Sequence, residues 1–465
     1  MDILLTHGYF LHEDAKEQAI MKPYPPLGIL YISSYLKKNQ VECAVYDTTF
    51  STKSHLYAFL LQVKPRLIGM YTNLMTKINV LQIIRFIKEN EELKNCVIVL
   101  GGPEITNNVD NFLASGADIL VIGEGEETML ELSLAYKNSS SPCLENISGI
   151  AYQDKDGTTI QTTEREKRKD LDELPWPDRE AIDLQLYLDA WKSRHGKNAI
   201  SISTMRGCPY TCKWCSRAVY GLSYRRRSPE QVADEVLFLR DRYQPDTLWF
   251  VDDVFTISHK WLRAFSKALQ ERQCQIPYEC ISRSDRMNEE VIQLLKESGC
   301  YRVWIGAESG SQRVIDAMDR RVDVKQVQDM ILMTRRNGIE AGTFIMLGYP
   351  GETEEDIEDT IRHLKISQPD FYTITLAYPI KGTEMYQEVE HDLHPSPDWK
   401  SSTDRELEYP RTYSKRYYHH ALSRVHNEVA FHRFKKDFLK TPFKVAKLKM
   451  KSSYSKWAMH YHRLF

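Results

Sequence analysis

Three cysteines fall close together in the run Arg206-Gly207-Cys208-Pro209-Tyr210-Thr211-Cys212-Lys213-Trp214-Cys215. The spacing C-x3-C-x2-C lets a single loop turn three thiolates toward one metal cluster. Thiolates are the usual ligands of a [4Fe–4S] cluster, which takes four. Three protein ligands leave one iron open to bind something else. The spacing also admits a zinc site or three unrelated reduced thiols. Structural zinc takes four closed ligands, however, and no fourth Cys or His lies near the run; Cys274 is far downstream. The expectation is an iron–sulfur cluster held by Cys208, Cys212 and Cys215. The other six cysteines, Cys43, Cys96, Cys143, Cys274, Cys280 and Cys300, are scattered in or beside apolar runs and read as buried thiols.

Such a loop needs rigid elements behind it. From about residue 199 onward, apolar runs predict strands at 200–204, 247–251, 278–282, 301–306, 342–347 and 371–375. Helical patterns fall at 229–242, 260–271, 288–298, 324–337 and 354–367. Six strand–helix steps are too regular for a sandwich and two short of a closed eight-fold barrel. They predict an open (β/α)6 barrel with its chemistry at the C-terminal ends of the strands, and the cysteine loop follows the first of them. A separate series precedes it. Strands are predicted at 3–5, 43–47, 67–71, 97–100 and 119–122, with helices at 27–38, 55–63, 77–90, 110–115 and 126–137. Short strands alternating with helices predict a parallel sheet covered on both faces. A hairpin is predicted around Asp154-Lys155-Asp156-Gly157, and the two prolines of Leu174-Pro175-Trp176-Pro177 mark a linker.

The expected organisation is therefore α/β. A doubly wound, Rossmann-like domain covers residues 1–140, a hairpin and linker 141–195, the partial barrel 196–380, and a basic, mainly helical region 381–465. A length of 465 residues accommodates these parts. Lys plus Arg is 62 and Asp plus Glu 64, a net charge of −2, which argues against a protein that coats nucleic acid. With 42% hydrophobic and 27% charged residues the chain is not disordered. No apolar run is long enough to span a bilayer, and the start reads as a strand rather than a signal peptide. Nine cysteines without a secretion signal point to a reducing, cytoplasmic setting. Charge is uneven all the same. Residues 411–465 hold 14 Lys or Arg against Glu428 and Asp437, and six of the 14 His. The His419, His420, His426 and His432 group leaves open metal or anionic-substrate binding beside a plain solvated face.

The cysteine loop, with Trp214 before its last Cys, resembles the radical S-adenosylmethionine (SAM) superfamily. That resemblance implies that the open iron chelates the amino and carboxylate groups of SAM. An electron then cleaves SAM to methionine and a 5′-deoxyadenosyl radical, which abstracts a substrate hydrogen. It further implies SAM contacts from Trp214, from Asp252 and Asp253 toward the ammonium, and from Arg283 toward the carboxylate. Glu308 in Gly306-Ala307-Glu308-Ser309-Gly310 would meet the ribose. Leu347 in Met346-Leu347-Gly348-Tyr349-Pro350-Gly351 would lie by the adenine. Apart from Trp214 in the cysteine loop, these residues fall at predicted strand ends. An external electron donor such as flavodoxin or ferredoxin is implied, together with a small-molecule substrate.

In the N-terminal part, Gly101-Gly102-Pro103-Glu104 and Gly123-Glu124-Gly125 follow predicted strands, and no G-x-G-x-x-G is present. With Pro25-Pro26-Leu27-Gly28 ahead and the barrel behind, the layout resembles the cobalamin (B12)-binding group of radical SAM enzymes. That group includes methyltransferases and enzymes like the anaerobic magnesium-protoporphyrin ester cyclase. The resemblance implies cobalamin contacts from Thr72, Asn73, Gly101, Gly102, Glu124 and Gly125. None of the histidines lies in Asp-x-His-x-x-Gly, which implies cobalamin without a lower histidine ligand. Cobalamin-dependent C-methylation is the leading expectation. A cyclase, dehydratase or other redox enzyme of the same group is the alternative. A methylthiotransferase would need more clustered cysteines in the N-terminal half, and a mere cobalamin sensor would not need complete cluster ligands and a barrel.

Overall fold

The computed structural model describes residues 2–394, 398–435 and 439–464. The chain divides into two compact units. One comprises Met1–Pro209, Ser216–Trp249 and Ser396–Glu406, and the other Tyr210–Cys215, Phe250–Pro395 and Leu407–Phe465.

The first unit is built on a seven-stranded sheet. Its strands are β1 (Ile3–His7), β2 (Ala44–Tyr46), β3 (Leu67–Tyr71), β4 (Val97–Gly101), β5 (Ile119–Val121), β6 (Ile150–Gln153) and β7 (Thr159–Gln161), in the order β2-β1-β3-β4-β5-β6-β7. The first five pair in parallel, and the hairpin β6–β7 adds to β5 antiparallel. Residue alternation along these strands builds two cores. Leu4, Ile68, Ile98, Leu100 and Leu120 face one side; Ile3, Leu5, Leu67, Val99 and Ile119 face the other. Helices α1 (Ala15–Ile20), α2 (Leu27–Lys38), α3 (Lys53–Val63), α4 (Lys77–Glu89) and α5 (Val109–Leu113) connect the parallel strands, and α6 (Glu126–Asn138) follows β5. Leu56 and Leu60 of α3 and Val80, Ile83, Ile84 and Ile87 of α4 enter the first core. Ile29 and Leu36 of α2 and Met129 and Leu132 of α6 enter the second. The order reverses between β1 and β3, the place where a doubly wound sheet opens a crevice at its C-terminal edge.

Further along the chain come α7 (Leu184–His195), β8 (Ala199–Ile202), the two-residue strands β9 (Met205–Arg206) and β10 (Arg225–Arg226), α8 (Pro229–Tyr243) and β11 (Thr247–Phe250). Ser228 caps α8 ahead of a proline at its first turn. Glu235 of α8 is buried between Arg179 (2.8 Å) and Arg227, so the linker and the start of the barrel share one sealed ion triad.

The second unit carries β12 (Tyr278–Ser282), β13 (Cys300–Glu308), β14 (Glu340–Leu347) and β15 (Phe371–Leu376), all parallel. The sheet order is β15-β14-β13-β12-β11-β8, six strands with two open edges, as the strand–helix count predicts. Its helices are α9 (His259–Glu271), α10 (Glu289–Glu297), α11 (Gln312–Ala317), α12 (Val324–Arg336), α13 (Glu354–Ser367) and α14 (Glu384–Val389), followed by α15 (Lys415–Phe434) and α16 (Pro442–Leu464). Ser258, Asn288 and Asp323 each cap their helix through a side-chain oxygen.

The turn from β14 into α13 is held from several directions. Gly348 N–H donates to Glu352 Oε2 at 2.6 Å, Tyr409 Oη donates to the Gly348 carbonyl, and Thr353 with Asp356 forms a capping box. Glu352 is fully buried and its Oε1 has no hydrogen-bond partner. Burial pushes its carboxyl up to about 8. A pKa raised on folding gives stability that is complete below the ordinary carboxylate value and is lost as pH climbs through about 8. Glu352→Gln is therefore expected to flatten the fall in urea midpoint between pH 6 and pH 9. An unchanged fall in the variant would refute that assignment.

Candidate active site

The cysteine loop is an excursion closed at its base by the β9–β10 pair, in which Arg206 faces Arg225. Gly207 is required there. Its φ is +83°, and a Cβ would lie 2.2 Å from Ser223 Oγ. In the second unit the loop is knitted to its surroundings. Lys213 N–H donates to the Met318 carbonyl (3.1 Å) and Met385 N–H to the Lys213 carbonyl (3.0 Å), while Thr211 Oγ1 donates to Asp319 (2.6 Å). The Trp214 ring packs on a buried cluster of Met318, Tyr349, Ala377 and Met385.

Cys212 is buried, Cys208 half-buried and Cys215 exposed. No cysteine is in a disulfide. Two guanidinium groups face the Cys212 sulfur, Arg283 Nη1 at 3.7 Å and Arg320 Nη1 at 3.8 Å. Both arginines are buried. Arg283 stacks 3.8 Å above Tyr210 and is braced by Asp285 at 2.8 Å. Arg320 also donates to the Gly306 carbonyl (2.8 Å) and lies 5.6 Å from the Trp214 ring. Two guanidinium donors at hydrogen-bond distance suit a sulfur that ligates an iron–sulfur cluster. Among the described residues, no three His, Cys, Asp or Glu side chains stand converged on a metal position. The tail histidines are thus not gathered as a metal site; His420 stacks on His462, and His426 meets Tyr372.

The other barrel residues expected from sequence lie at C-terminal strand ends. Glu308 closes β13 at a register shift and has φ +64°, a left-handed conformation costly for a residue with a Cβ. Burial raises its pKa, against the pull of Arg320 and Arg283; Arg320 is 3.6 Å away. Leu347 is buried at the end of β14, its carbonyl accepting from Ala377 N–H. Asp252 is buried. Asp253 is exposed by area, yet partial burial and the Asp252 carboxylate raise its pKa. The structure thus gathers Trp214, Arg283 and Glu308 about Cys212 through Arg320. Sequence reasoning missed Arg320. Its signal was the polar Asp319-Arg320-Arg321 run in a turn where Asp319 and Arg321 have positive φ.

In the first unit the expected contacts lie along the C-terminal edge of the sheet. Thr72 is fully buried and its Oγ1 has no partner. Gly102, at φ +114°, lets β4 end against Thr72; a Cβ would sit 2.3 Å from the Thr72 carbonyl oxygen. Gly101 ends β4 beside it. An orphaned hydroxyl beside a glycine turn, at the C-terminal ends of β3 and β4, fits a large planar ligand. Asn73 spends its side-chain oxygen on the turn into α4, accepting from Met75 and Thr76 N–H. Gly125 is the N-cap of α6. Glu124 is nearly buried and bound by Arg206 (2.8 Å) and Arg225. His7, at the end of β1, contacts Asp47 through Nε2 (3.0 Å), and its Nδ1 accepts from Tyr9 N–H (3.1 Å). Both ring nitrogens are engaged, so neither is offered to a metal. Cys143 departs from expectation: it is exposed.

Comparison with known proteins agrees with this geometry. The Radical SAM superfamily model matches residues 202–364, and the B12 binding domain model matches residues 20–133. An uncharacterized methyltransferase of Pyrococcus horikoshii is 28% identical over 84% of this chain and 84% of its own. The anaerobic magnesium-protoporphyrin IX monomethyl ester cyclase of Rubrivivax gelatinosus is 25% identical over 84% of this chain and 70% of its own. The fold is that of the radical S-adenosylmethionine methyltransferase TsrM from Kitasatospora setae, solved with cobalamin and a [4Fe-4S] cluster bound. That structure matches with a TM-score of 0.70 at 17% identity, over 87% of this chain and 81% of that one. The chain thus joins a B12-binding domain at residues 20–133 to a radical SAM domain at residues 202–364, and is a radical SAM enzyme whose cofactors are a [4Fe–4S] cluster, SAM and cobalamin.

Proposed function

We propose that this enzyme abstracts a hydrogen atom from a small biosynthetic substrate and methylates the carbon left behind. The observation that carries the reading is the Cys212 sulfur between Arg283 and Arg320, at the strand ends where the strained Glu308 also lies. When bound, the cluster and SAM supply a 5′-deoxyadenosyl radical by reductive cleavage, and cobalamin supplies the methyl group. The chain's own residues bind, orient and exclude water. Cys208, Cys212 and Cys215 would hold the cluster, with Arg283 and Arg320 donating to the Cys212 sulfur. Asp252 and Asp253 receive the SAM ammonium, and Glu308 the ribose hydroxyls. Trp214 and Leu347 close the apolar side. Residues 1–140 form the cobalamin domain and 196–380 the barrel. In the former, the Thr72 hydroxyl and the Gly101-Gly102 turn would hold cobalamin, while both ring nitrogens of His7 are engaged within the protein. A flavodoxin- or ferredoxin-type donor provides the electron, in a reducing cytoplasm that suits nine thiols outside disulfides.

Similarity to the Rubrivivax cyclase over most of the chain favours one second reading, a radical redox or cyclisation reaction without methyl transfer. Incubation with methyl-labelled SAM, cobalamin and a strong reductant separates the two. Methylation gives 5′-deoxyadenosine in step with S-adenosylhomocysteine and labelled product. Deoxyadenosine with an altered, unlabelled product selects the second reading.

Two substitutions probe the site. Cys212→Ala, reconstituted anaerobically with iron and sulfide, is expected to lose the iron–sulfur absorbance and deoxyadenosine formation. Cys143→Ala, at the exposed thiol outside the loop, is expected to keep both. Equal iron content in the two variants would sink the cluster assignment. Glu308→Gln is expected to raise the KM for SAM about tenfold with the cluster intact, the loss of one charge-assisted hydrogen bond. An unchanged KM would remove Glu308 from the nucleoside site.

A further inference from the structure

Among the described residues, the last helix of the chain leaves one face exposed. Along α16, Val445, Ser452, Ser455, Ala458 and Met459 are buried, and the helix packs on α15. Phe443, Met450, Tyr454, Trp457 and Tyr461 are instead 49–90% exposed. Their spacing puts them on one stripe roughly 60° wide and about 27 Å long, given 3.6 residues per turn and 1.5 Å per residue. Sixteen large hydrophobics are exposed among the described residues, and six of them fall here once Leu439 is included. Such a concentration marks an interaction surface, whereas scattered exposed residues would not.

Charge says what covers it. The α16 sequence contains no Asp or Glu. Exposed Lys447 and Lys451 border the stripe along one side. We propose that α16 is a peripheral membrane anchor, with its aromatic stripe seated at the headgroup–acyl boundary of an anionic bilayer and its lysines on the lipid phosphates. A basic helix with Trp and Phe on its apolar face lies in that interface plane, and Trp and Tyr rings settle at headgroup level. No helix of the described residues is long and apolar enough to cross a membrane, so the helix lies on the surface. A second copy on the same stripe would set two rows of lysines against each other. Single-stranded nucleic acid would need open ring faces to stack on, but Trp457 is stacked with Tyr461 at 6.0 Å, and Tyr454 is 6.0 Å away. The anchor is tied to the barrel within its unit. Arg424 pairs with Glu358 of α13 (3.0 Å), and Lys365 of α13 pairs with Glu428 (2.7 Å).

The full chain is tested by flotation with vesicles of phosphatidylcholine alone or mixed with phosphatidylglycerol. It is expected to float with the mixed vesicles, to stay behind with the neutral ones, and to be released by salt. The combined variant Phe443→Ser, Met450→Ser, Trp457→Ser alters exposed positions only and should keep the wild-type circular dichroism; its bound fraction is expected to fall about tenfold or more. Lys447→Gln with Lys451→Gln should lose the preference for phosphatidylglycerol. The proposal is overturned by absence of flotation, or by equal flotation of wild type and the serine variant. It is also overturned by a solution dimer that protects Trp457, or by binding of an oligothymidine strand, rather than vesicles, through these residues.

Discussion

Arg206 is the charge on which the cysteine loop's footing depends. It is nearly sealed from water, and burial alone would lower its pKa. Glu126 and then Glu124 instead raise it well above the usual value. The group cannot shed its proton, so it must be paired, and removing a partner from a buried pair costs far more than the pair is worth in itself. Tyr31 and Tyr220 sandwich the guanidinium at 5.4 Å each. One residue before the Gly207 turn, this side chain therefore fixes where the loop leaves its strand. Arg225, opposite it in the β9–β10 pair, binds the same Glu124. The carboxylate that sequence reasoning assigned to cobalamin is thus the keystone of the loop's base.

The same rule operates around Cys212 with opposite sign. Two buried guanidinium groups are affordable there because each is braced elsewhere, Arg283 by Asp285 and Arg320 by the Gly306 carbonyl and Glu308. Their remaining donors point at sulfur. The left-handed Glu308 is the visible strain of this arrangement. A register shift at the end of β13 turns its carboxylate back toward Arg320, where a regular strand would alternate it away. Local backbone cost at such a point persists because the surrounding ion network over-determines it.

Much of this was legible in the sequence, for a physical reason. Buried parallel strands are continuous apolar runs bounded by helical periods. β3, β12, α2 and α13 therefore begin and end where the pattern says. Elements without that contrast were not legible. α7 mixes charges with its buried Tyr187, Leu188 and Trp191, and α11 and α14 are too short to show a period. The hairpin was visible, but its pairing with β5 is a long-range choice. The candidate site divides the same way. Residues at strand ends could be named from sequence; partners brought by other segments could not. Arg320 reaches Cys212 from beyond α11. Trp399, from a distant segment, covers Phe112 and the buried Lys77 ammonium at 4.5 Å. Asn73 and Glu124, named for cobalamin, are seen to hold the turn into α4 and the base of the cysteine loop.

The basic C-terminal region raises a question of balance, since a run with so few acids repels itself. Glu428 resolves it at one point. Burial would raise its carboxyl, but Lys365 and Ser452, with Arg424, hold it down at about 2. It receives Lys365, Arg424 and Lys449 at once. Asp437, the other acid of the region, lies outside the described residues. Three cations converging inside the α15–α16 pair, one from α13, fix the rotation of α16 about its axis. With the side bearing Ser452, Ser455 and Met459 committed to the buried contact, the helical period leaves Phe443, Met450 and Trp457 no direction but outward. The exposed stripe is thus a consequence of the ion cluster beneath it. A helix turned by half a revolution would bury the rings and take Ser452 and Lys449 away from Glu428.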